Sequence, residues 1–266
     1  MNRQNLIGLA ALAALVFGGV VPAKAAVVAS DNANNGSYTP QPDNGWAATN
    51  GGSGYNLWTP VGGTGGGGTY MEGVGVNGRQ VDGSYSFALF AGSGGYAISR
   101  PLSASMTAGE FEILSRFDTA GSNLNLINLR SGNNTSGFGA GELLSFGLVN
   151  NNQLSYTDAS GLHTLASGEA RGARLSWDIR FNATAGTYSG TVTNLDNSYL
   201  GTFSGNLEPN GTSVGSFAVI NTSTGGSQNV IFDAPTFITV AVPEPGALVL
   251  AAFGLVAISG ARRLRR

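Results

Sequence analysis

The feature of this sequence that most restricts its fold is a series of short segments in which apolar and polar residues alternate. The clearest segment runs from Arg174 to Phe181, where every second residue, beginning with Leu175, is apolar and the others are polar. Successive side chains of a β-strand point to opposite faces, so this pattern predicts a strand with one buried and one solvent face. Similar segments predict strands at residues 84–90, 96–102, 110–117, 124–129, 143–149, 153–157, 187–193, 200–204, 216–220, 230–232 and 236–240.

Turn-forming residues separate these segments and indicate the class of fold. Glycine occurs 42 times in 266 residues, about twice its usual frequency. No segment outside the two ends repeats its apolar residues with the period of a helix. Many short strands separated by turns predict an all-β protein, and we expect a two-sheet antiparallel jelly-roll sandwich. Its first part, residues 30–68, is expected to be irregular and loop-rich.

The N-terminus has the three parts of a secretory signal peptide. A short polar stretch containing Arg3 precedes an uncharged apolar run, and Ala23 and Ala25 then occupy the −3 and −1 positions of a cleavage site. The apolar run is short for a transmembrane anchor. We therefore expect residues 1–25 to form a signal helix that is removed by cleavage between Ala25 and Ala26.

The C-terminus combines a proline-flanked glutamate, a short apolar stretch and a cluster of arginines. Pro243, Glu244 and Pro245 precede the uncharged residues 246–260, which are barely long enough to cross a bilayer core of ~30 Å as a helix. The positive-inside rule places the terminal arginines in the cytoplasm; these are Arg262, Arg263, Arg265 and Arg266. The two ends thus predict an exported domain, residues 26–241, followed by a short transmembrane helix within residues 242–266.

This C-terminal arrangement closely resembles the PEP-CTERM sorting signal, which joins a Pro-Glu-Pro motif, a hydrophobic stretch and a terminal arginine cluster. The resemblance implies that exosortase, an integral membrane protease, recognises the tail and cleaves it near the motif. It also implies a Gram-negative host that makes extracellular polysaccharide. We expect the protein to cross the inner membrane, to be anchored transiently by its tail, and then to reach the cell surface or the extracellular matrix.

A second resemblance covers about residues 80–240. Short segments follow one another in an order similar to that of concanavalin-like sandwiches, the group that includes legume lectins and laminin-G domains; they lie at residues 86–88, 95–100, 146–148, 185–188 and 231–233. This resemblance implies a lectin-like jelly roll for the exported domain.

The charge and cysteine content of residues 26–241 exclude several functions. This segment contains seven arginines against fourteen aspartates and glutamates, although the whole chain has a formal net charge of only −2. An acidic domain is poorly suited to nucleic acid, so no nucleic-acid partner is expected. The absence of cysteine rules out disulfides, thiol catalysis and cysteine-ligated metals.

Aromatic and acidic residues near the predicted loops are candidates for ligand binding. Trp46, Tyr55 and Trp58 lie in the loop-rich start; exposed rings could stack on sugars, whereas buried rings would hold this segment against the sandwich. No cofactor is expected, and calcium is the one alternative, because it takes oxygen ligands from aspartates and loop carbonyls. Asp158 and Asp233 near strand ends are its possible ligands, and a structural role is the alternative for both.

Two arrangements could support catalysis. Glu110 and Glu112 share one face of a predicted strand, as the carboxyls of a retaining glycosidase would, but Leu114 stands where the laminarinase-type motif has a third acidic residue. His163 is the only histidine; Asp158 is near it in sequence, but no G-x-S-x-G nucleophile turn accompanies it. No catalytic residue is assigned, and the protein is not expected to be an enzyme.

These features together predict a non-catalytic, exosortase-sorted surface or extracellular-matrix protein that serves adhesion, envelope structure or biofilm assembly. A lectin-like carbohydrate-binding module is one alternative, and a degenerate glycoside hydrolase is another. The expected partners are an exosortase-type membrane protease, the membrane through the C-terminal segment, and extracellular polysaccharide.

Overall fold

The computed structural model describes residues 25–38, 45–46, 49–63, 66–73, 78–118, 124–132, 137–149, 153–167, 172–222 and 229–240. Within these ranges the chain forms fifteen strands: β1 (Val27–Ser30), β2 (Thr59–Gly62), β3 (Gly68–Gly73), β4 (Tyr85–Phe90), β5 (Tyr96–Met106), β6 (Ala108–Phe117), β7 (Asn125–Ser131), β8 (Glu142–Val149), β9 (Gln153–Asp158), β10 (Gly161–Ser167), β11 (Arg174–Asn182), β12 (Thr187–Asn194), β13 (Leu200–Asn206), β14 (Val214–Asn221) and β15 (Asn229–Ile238).

The strands form two antiparallel sheets that enclose a common core. Sheet 1 has the order β13-β12-β11-β6-β15-β4-β3, and β1 joins it by pairing with β15. Sheet 2 has the order β10-β9-β8-β7-β14-β5-β2. Residues Val27–Thr239 form one compact unit. The prediction of an all-β, two-sheet antiparallel sandwich is therefore confirmed.

The core lies between the sheets and is filled by the alternating apolar residues of their inner faces. Trp177 of β11 is fully buried; its ring centroid lies 4.7 Å from that of Phe146 in sheet 2, and its Nε1 donates a hydrogen bond to Ser115 Oγ at 2.9 Å. Burial of each large apolar side chain contributes about 1.5–3 kcal/mol. The facing predicted for residues 174–181 agrees with this arrangement.

Four observed strands were not predicted, namely β1, β2, β3 and β10, and two predicted strands are one. The strands β3 and β10 were not predicted, because glycine and polar residues weaken their alternation, and pairing with β4 and β9 overrides this weak local preference. The predicted strands at 230–232 and 236–240 are one strand, β15, with a register shift between Asp233 and Thr236. Ala234 inside this irregularity has a φ of 51°, as expected for a bulged strand. The loop-rich start contains the short strand β2, which pairs with β5.

The predicted signal helix and the predicted C-terminal transmembrane helix fall on residues 1–24 and 241–266, outside the described residues. In the part of the chain that the structure describes, no helix is both long enough and apolar enough to cross a membrane.

Two short segments cover parts of the outer faces of the sheets. Val81 packs against Ala88 on the outer face of sheet 1, and Phe138 packs against Ala97 on the outer face of sheet 2. The outer face formed by β11, β12 and β13 instead carries a series of exposed or half-buried polar side chains. This part of sheet 1 therefore offers side chains for contact with other molecules.

Candidate functional site

The three aromatic residues proposed as a sugar-stacking platform are buried. Trp46, Tyr55 and Trp58 expose 3%, 4% and 1% of their surfaces. The rings of Trp46 and Trp58 lie 4.8 Å apart, and Trp46 Nε1 donates a hydrogen bond to the carbonyl of Tyr70 at 2.8 Å. The platform hypothesis is wrong for these residues, because they hold the loop-rich start against the core as the packing alternative predicted.

A buried ion pair fixes the same segment. Arg100 of β5 lies 2.9 Å from Asp31 Oδ2, and both side chains are inaccessible to solvent. The guanidinium carbon of Arg100 lies 4.9 Å from the centroid of the Trp58 ring, and the Tyr38 hydroxyl donates a hydrogen bond to Asp31. Burial raises the pKa of Asp31 and lowers the pKa of Arg100, although each partner opposes the shift of the other. Because the two charged side chains are buried and paired with each other, the network serves to position the loop-rich start.

The carboxylate of Asp158, one of the two calcium candidates, is occupied by donors from the protein. Its Oδ1 accepts hydrogen bonds from Ser160 N and Oγ at 2.8 and 2.6 Å, and its Oδ2 accepts one from the Tyr188 hydroxyl at 2.8 Å. Burial acts to raise the pKa of Asp158, but these bonds and a contact with His163 together outweigh it and lower the pKa. Asp158 therefore anchors the β9–β10 turn to sheet 1 and offers no open carboxylate to calcium.

The geometry around His163 differs from that of a catalytic triad. His163 Nε2 lies 3.0 Å from Ser160 Oγ and also 3.1 Å from Asp158 Oδ1. A triad needs the two ring nitrogens for different partners, since one contacts the nucleophile and the other the orienting carboxylate. Here one nitrogen faces both groups, so this arrangement cannot relay a proton from Ser160.

Asp233, the other calcium candidate, is fully buried in β15. Its Oδ1 accepts hydrogen bonds from the backbone N–H groups of Ala33 and Ala234 at 2.9 and 2.8 Å. Its Oδ2 has no hydrogen-bond partner among the described residues. Burial raises the pKa of Asp233 to about 7, despite the two backbone hydrogen bonds. This carboxyl lies inside the sandwich and accepts hydrogen bonds from the backbone of two segments, which favours the structural alternative.

Eight polar side chains form two rows across the outer face of sheet 1. The strand register aligns these side chains on β6, β11, β12 and β13. We call them the polar grid; the first row is Glu110, Arg180, Ser189 and Ser204, and the second is Glu112, Asp178, Thr191 and Thr202. Neighbouring members of a row lie on adjacent strands, which are about 4.8 Å apart.

Three carboxylates and one guanidinium meet at one end of the polar grid. One oxygen from each of Glu110, Glu112 and Asp178 lies within 4.8 Å of the other two, so this group could hold a metal ion. Arg180 Nε lies 3.4 Å from Glu110 Oε2. Partial burial, followed by the hydrogen bond and charge of Asp178, raises the pKa of Glu110, and Arg180 opposes this shift. The cluster therefore contains three acidic groups and one basic group.

A groove of about 690 Å³ covers the other end of the polar grid. The grid residues that line it are Asp178, Arg180, Ser189, Thr191, Thr202 and Ser204. Gly190 and Phe203 also line the groove; a Cβ at Gly190 would come within 2.6 Å of the Phe203 ring, so this position requires glycine. The groove is open to solvent, and most of the residues that line it are polar.

Sequence reasoning identified Glu110 and Glu112 but missed the rest of the polar grid. The alternation of residues 174–181 already places Asp178 and Arg180 on the solvent face. The missing information is the strand register, because the paired residues of β11 and β6 are 58 to 74 residues apart in sequence. Periodicity within one strand carries no information about that pairing.

Comparison with known families finds a match at the C-terminus. Residues 241–266 match the model of the PEP-CTERM protein-sorting motif. This segment contains the predicted Pro-Glu-Pro motif and the arginine cluster, and the predicted resemblance is confirmed. A sequence comparison with curated proteins finds no match.

Comparison with solved structures finds lectin sandwiches at low sequence identity. Peanut lectin in complex with a nine-residue peptide has a TM-score of 0.47 and 11% identity, covering 83% of this chain and 99% of the lectin. Arcelin-5, a lectin-like defense protein from Phaseolus vulgaris, has a TM-score of 0.47 and 6% identity, covering 82% and 99%. The lumenal domain of VIP36, bound to calcium and mannose, has a TM-score of 0.44 and 12% identity, covering 71% and 85%.

The sorting motif and the sandwich occupy separate parts of the sequence. The sandwich spans residues Val27–Thr239, and the motif match begins two residues later. The function of the sandwich has to be derived from its own residues, because low structural similarity to lectins does not define a ligand. The chain thus contains an antiparallel β-sandwich and, after it in the sequence, a segment that matches the PEP-CTERM protein-sorting motif.

Proposed function

We propose that this chain is an exported, exosortase-sorted protein of the cell surface or extracellular matrix, with a non-catalytic role in adhesion, envelope structure or biofilm assembly. The observation that carries the proposal is the match of residues 241–266 to the PEP-CTERM protein-sorting motif. A sorting motif of this family implies export and processing by an exosortase-type protease.

The positions of the two terminal signals next to the sandwich support this route of export and processing. Cleavage between Ala25 and Ala26 would start the mature protein one residue before β1. At the other end, β15 ends at Ile238, so the Pro-Glu-Pro motif follows the sandwich after only four residues. Glu244 precedes Pro245 in the sequence, and the residue before a proline is biased toward extended conformations. An extended peptide suits entry into a protease site. The tail would therefore serve as a transient anchor.

The arrangement of the candidate catalytic groups supports a non-catalytic role. Leu114, which replaces a third acidic residue on β6, packs in an apolar cluster with Val81 on the outer face of sheet 1. Glu110 is hydrogen-bonded to Asp178 and its Oε2 lies 3.4 Å from Arg180 Nε on the outer face of the sheet. A glycosidase needs one carboxyl that is free to protonate the leaving group and another that is free to attack.

A carbohydrate-binding module is a second candidate function, and the groove on the polar grid favours it. Sugar hydroxyls are recognised by side chains that donate and accept hydrogen bonds together. Four serine and threonine hydroxyls line this groove beside Asp178 and Arg180.

Fractionation of the native host tests the proposed sorting. Glu244→Ala should leave export intact but should keep the uncleaved protein in the membrane fraction, because the protease reads the Pro-Glu-Pro motif. Glu208→Ala, a glutamate substitution within the sandwich, is the matched control and should be processed like the wild type. Normal processing and release of the Glu244→Ala protein would show that the tail is an ordinary anchor.

A further inference from the structure

The polar grid presents hydrogen-bonding groups in a regular array on a rigid surface. Ser189 and Thr191 of β12 lie opposite Ser204 and Thr202 of β13, so four hydroxyls form a rectangle on two strands. Each hydroxyl can donate one hydrogen bond and accept two. Their spacing follows the separation of adjacent strands and therefore repeats along the rows. A ligand that also repeats its hydroxyl groups can bond to several of them at once.

Asp178 and Arg180 extend this array by one strand. Asp178 lies opposite Thr191 and Arg180 opposite Ser189. A carboxylate accepts two hydrogen bonds from neighbouring hydroxyls, and a guanidinium donates two in a fixed planar geometry. Charge-assisted bonds of this kind are about twice as strong as those between neutral groups. These two residues therefore supply the strongest contacts that the groove can make with a polyol.

The floor of the groove is held by the aromatic core beneath it. The Phe203 ring fills the space under Gly190, stacks on Tyr156 with ring centroids 5.0 Å apart, and meets Trp177 edge-on at 6.2 Å. These contacts hold the backbone of β12 and β13 in place. A preformed surface loses little conformational freedom on binding, which favours affinity.

The charge of the polar grid selects against anionic ligands. Glu110, Glu112 and Asp178 lie close together, and Arg180 is the one cationic member of the grid. A polymer that carries carboxylates, sulfates or phosphates would be repelled by this excess of acidic groups. A polymer of uncharged sugars would meet the same hydrogen-bonding groups without that repulsion.

We propose that the polar grid is a binding site for a chain of uncharged sugar units, and that Asp178 and Arg180 are its main anchors. The inference rests on the proposed function, since a sorted surface or matrix protein is exposed to extracellular polysaccharide. It specifies the ligand of the groove on the outer face of β11, β12 and β13 as neutral rather than acidic polysaccharide.

Binding of the mature exported protein to two sets of oligosaccharides tests the proposal. The first set contains hexasaccharides of glucose, galactose or mannose, and the second contains hexasaccharides of uronic acids. Calorimetry should detect binding to at least one member of the first set and at least tenfold weaker binding to the second. Asp178→Ala and Thr191→Val should each weaken binding at least fivefold. Thr193→Val is the matched control, because Thr193 lies on the same face of β12 outside the groove, and its affinity should change less than twofold.

The double variant Glu110→Gln/Glu112→Gln tests the role of charge, since it removes two acidic groups from the grid and leaves the groove lining intact. It should reduce the discrimination against uronic acid oligomers at least threefold. The proposal is overturned if no uncharged oligosaccharide binds, if binding survives both groove substitutions, or if acidic oligomers bind better than neutral ones. The sugar-binding proposal and the sorting proposal can fail separately. If no oligosaccharide binds, but the Glu208→Ala control is processed normally and the Glu244→Ala protein is retained in the membrane, the proposed sorting still holds.

Discussion

Replacement of Asp233 by asparagine should remove a large part of the pH dependence of the stability of the sandwich. Asparagine has nearly the same shape, and its side-chain oxygen can accept the same two hydrogen bonds from Ala33 and Ala234. The amide nitrogen would take the place of Oδ2, which has no hydrogen-bond partner among the described residues. The Asp233→Asn variant would therefore resemble the protein with a protonated aspartate at every pH.

The sign and size of the effect follow from the raised pKa of Asp233. Burial moves this pKa from its ordinary value of 3.8 to about 7. Between these values the folded protein holds a proton that the unfolded chain releases, so the free energy of unfolding falls as the pH rises. The stabilisation that the protonated Asp233 side chain provides is complete below pH 4 and is lost as the pH rises through 7. Its full size is at most about 4 kcal/mol, because a tenfold change in proton affinity corresponds to about 1.4 kcal/mol.

Urea unfolding between pH 4 and pH 8 measures this effect through tryptophan fluorescence. All three tryptophans of the chain are buried, so their emission reports unfolding. At pH 4 the Asp233→Asn variant should match the wild type, and at pH 8 it should be more stable by about 2–4 kcal/mol.

Asp196→Asn is the control, because the pKa of Asp196 is shifted in the opposite direction. A hydrogen bond from the backbone of Arg174 is the main cause that lowers this pKa, so the stability that the carboxylate contributes is lost only as the pH falls below about 4. The difference in stability between Asp196→Asn and the wild type should therefore stay nearly constant between pH 4 and pH 8. If the wild type and Asp233→Asn curves run parallel between pH 4 and pH 8, the carboxyl of Asp233 titrates at an ordinary pH. The account of a buried, proton-retaining aspartate would then be wrong.

Two further substitutions test the packing. Trp177→Ala should lower the free energy of unfolding by about 3–5 kcal/mol through lost burial and an internal cavity. Ser176→Ala on the outer face should change it by less than about 0.5 kcal/mol. Equal urea midpoints for the two variants would show that the strand faces the other way. Arg100→Leu should lower the free energy of unfolding by about 3–5 kcal/mol, because it leaves Asp31 buried without its cation. Adding Asp31→Asn should recover part of this loss. Strictly additive effects in the double-mutant cycle would refute the coupling between the two residues.

The fold was predictable to the extent that it depends on alternation within single strands. Residues 174–181 form one strand with the predicted facing, since period-two alternation identifies both the strand and its buried side. The short strands β3 and β10 escaped prediction because neighbouring strands stabilise them more than their own residues do. Burial of Trp46 and Trp58 was also undecided, since an aromatic residue in a loop can face either the core or solvent.

The candidate site depends on long-range register, which a single sequence does not encode locally. The rows of the polar grid join β6 to β11, β12 and β13, and a shift of one residue in any pair would separate Asp178 from Thr191. The two calcium candidates illustrate the same difficulty. In the sequence, Asp158 and Asp233 lie near strand ends and look available to calcium. In the folded protein, Asp158 accepts hydrogen bonds from protein donors and Asp233 is buried.

Intact-mass spectrometry of the protein released by its native host tests the central claim most directly. The account predicts one product that begins at Ala26, ends close to residues 243–245, and lacks the apolar stretch and the four terminal arginines. A mature protein that retains residues 1–25, or a released protein that still carries Arg262 to Arg266, would contradict export and sorting by the two terminal signals.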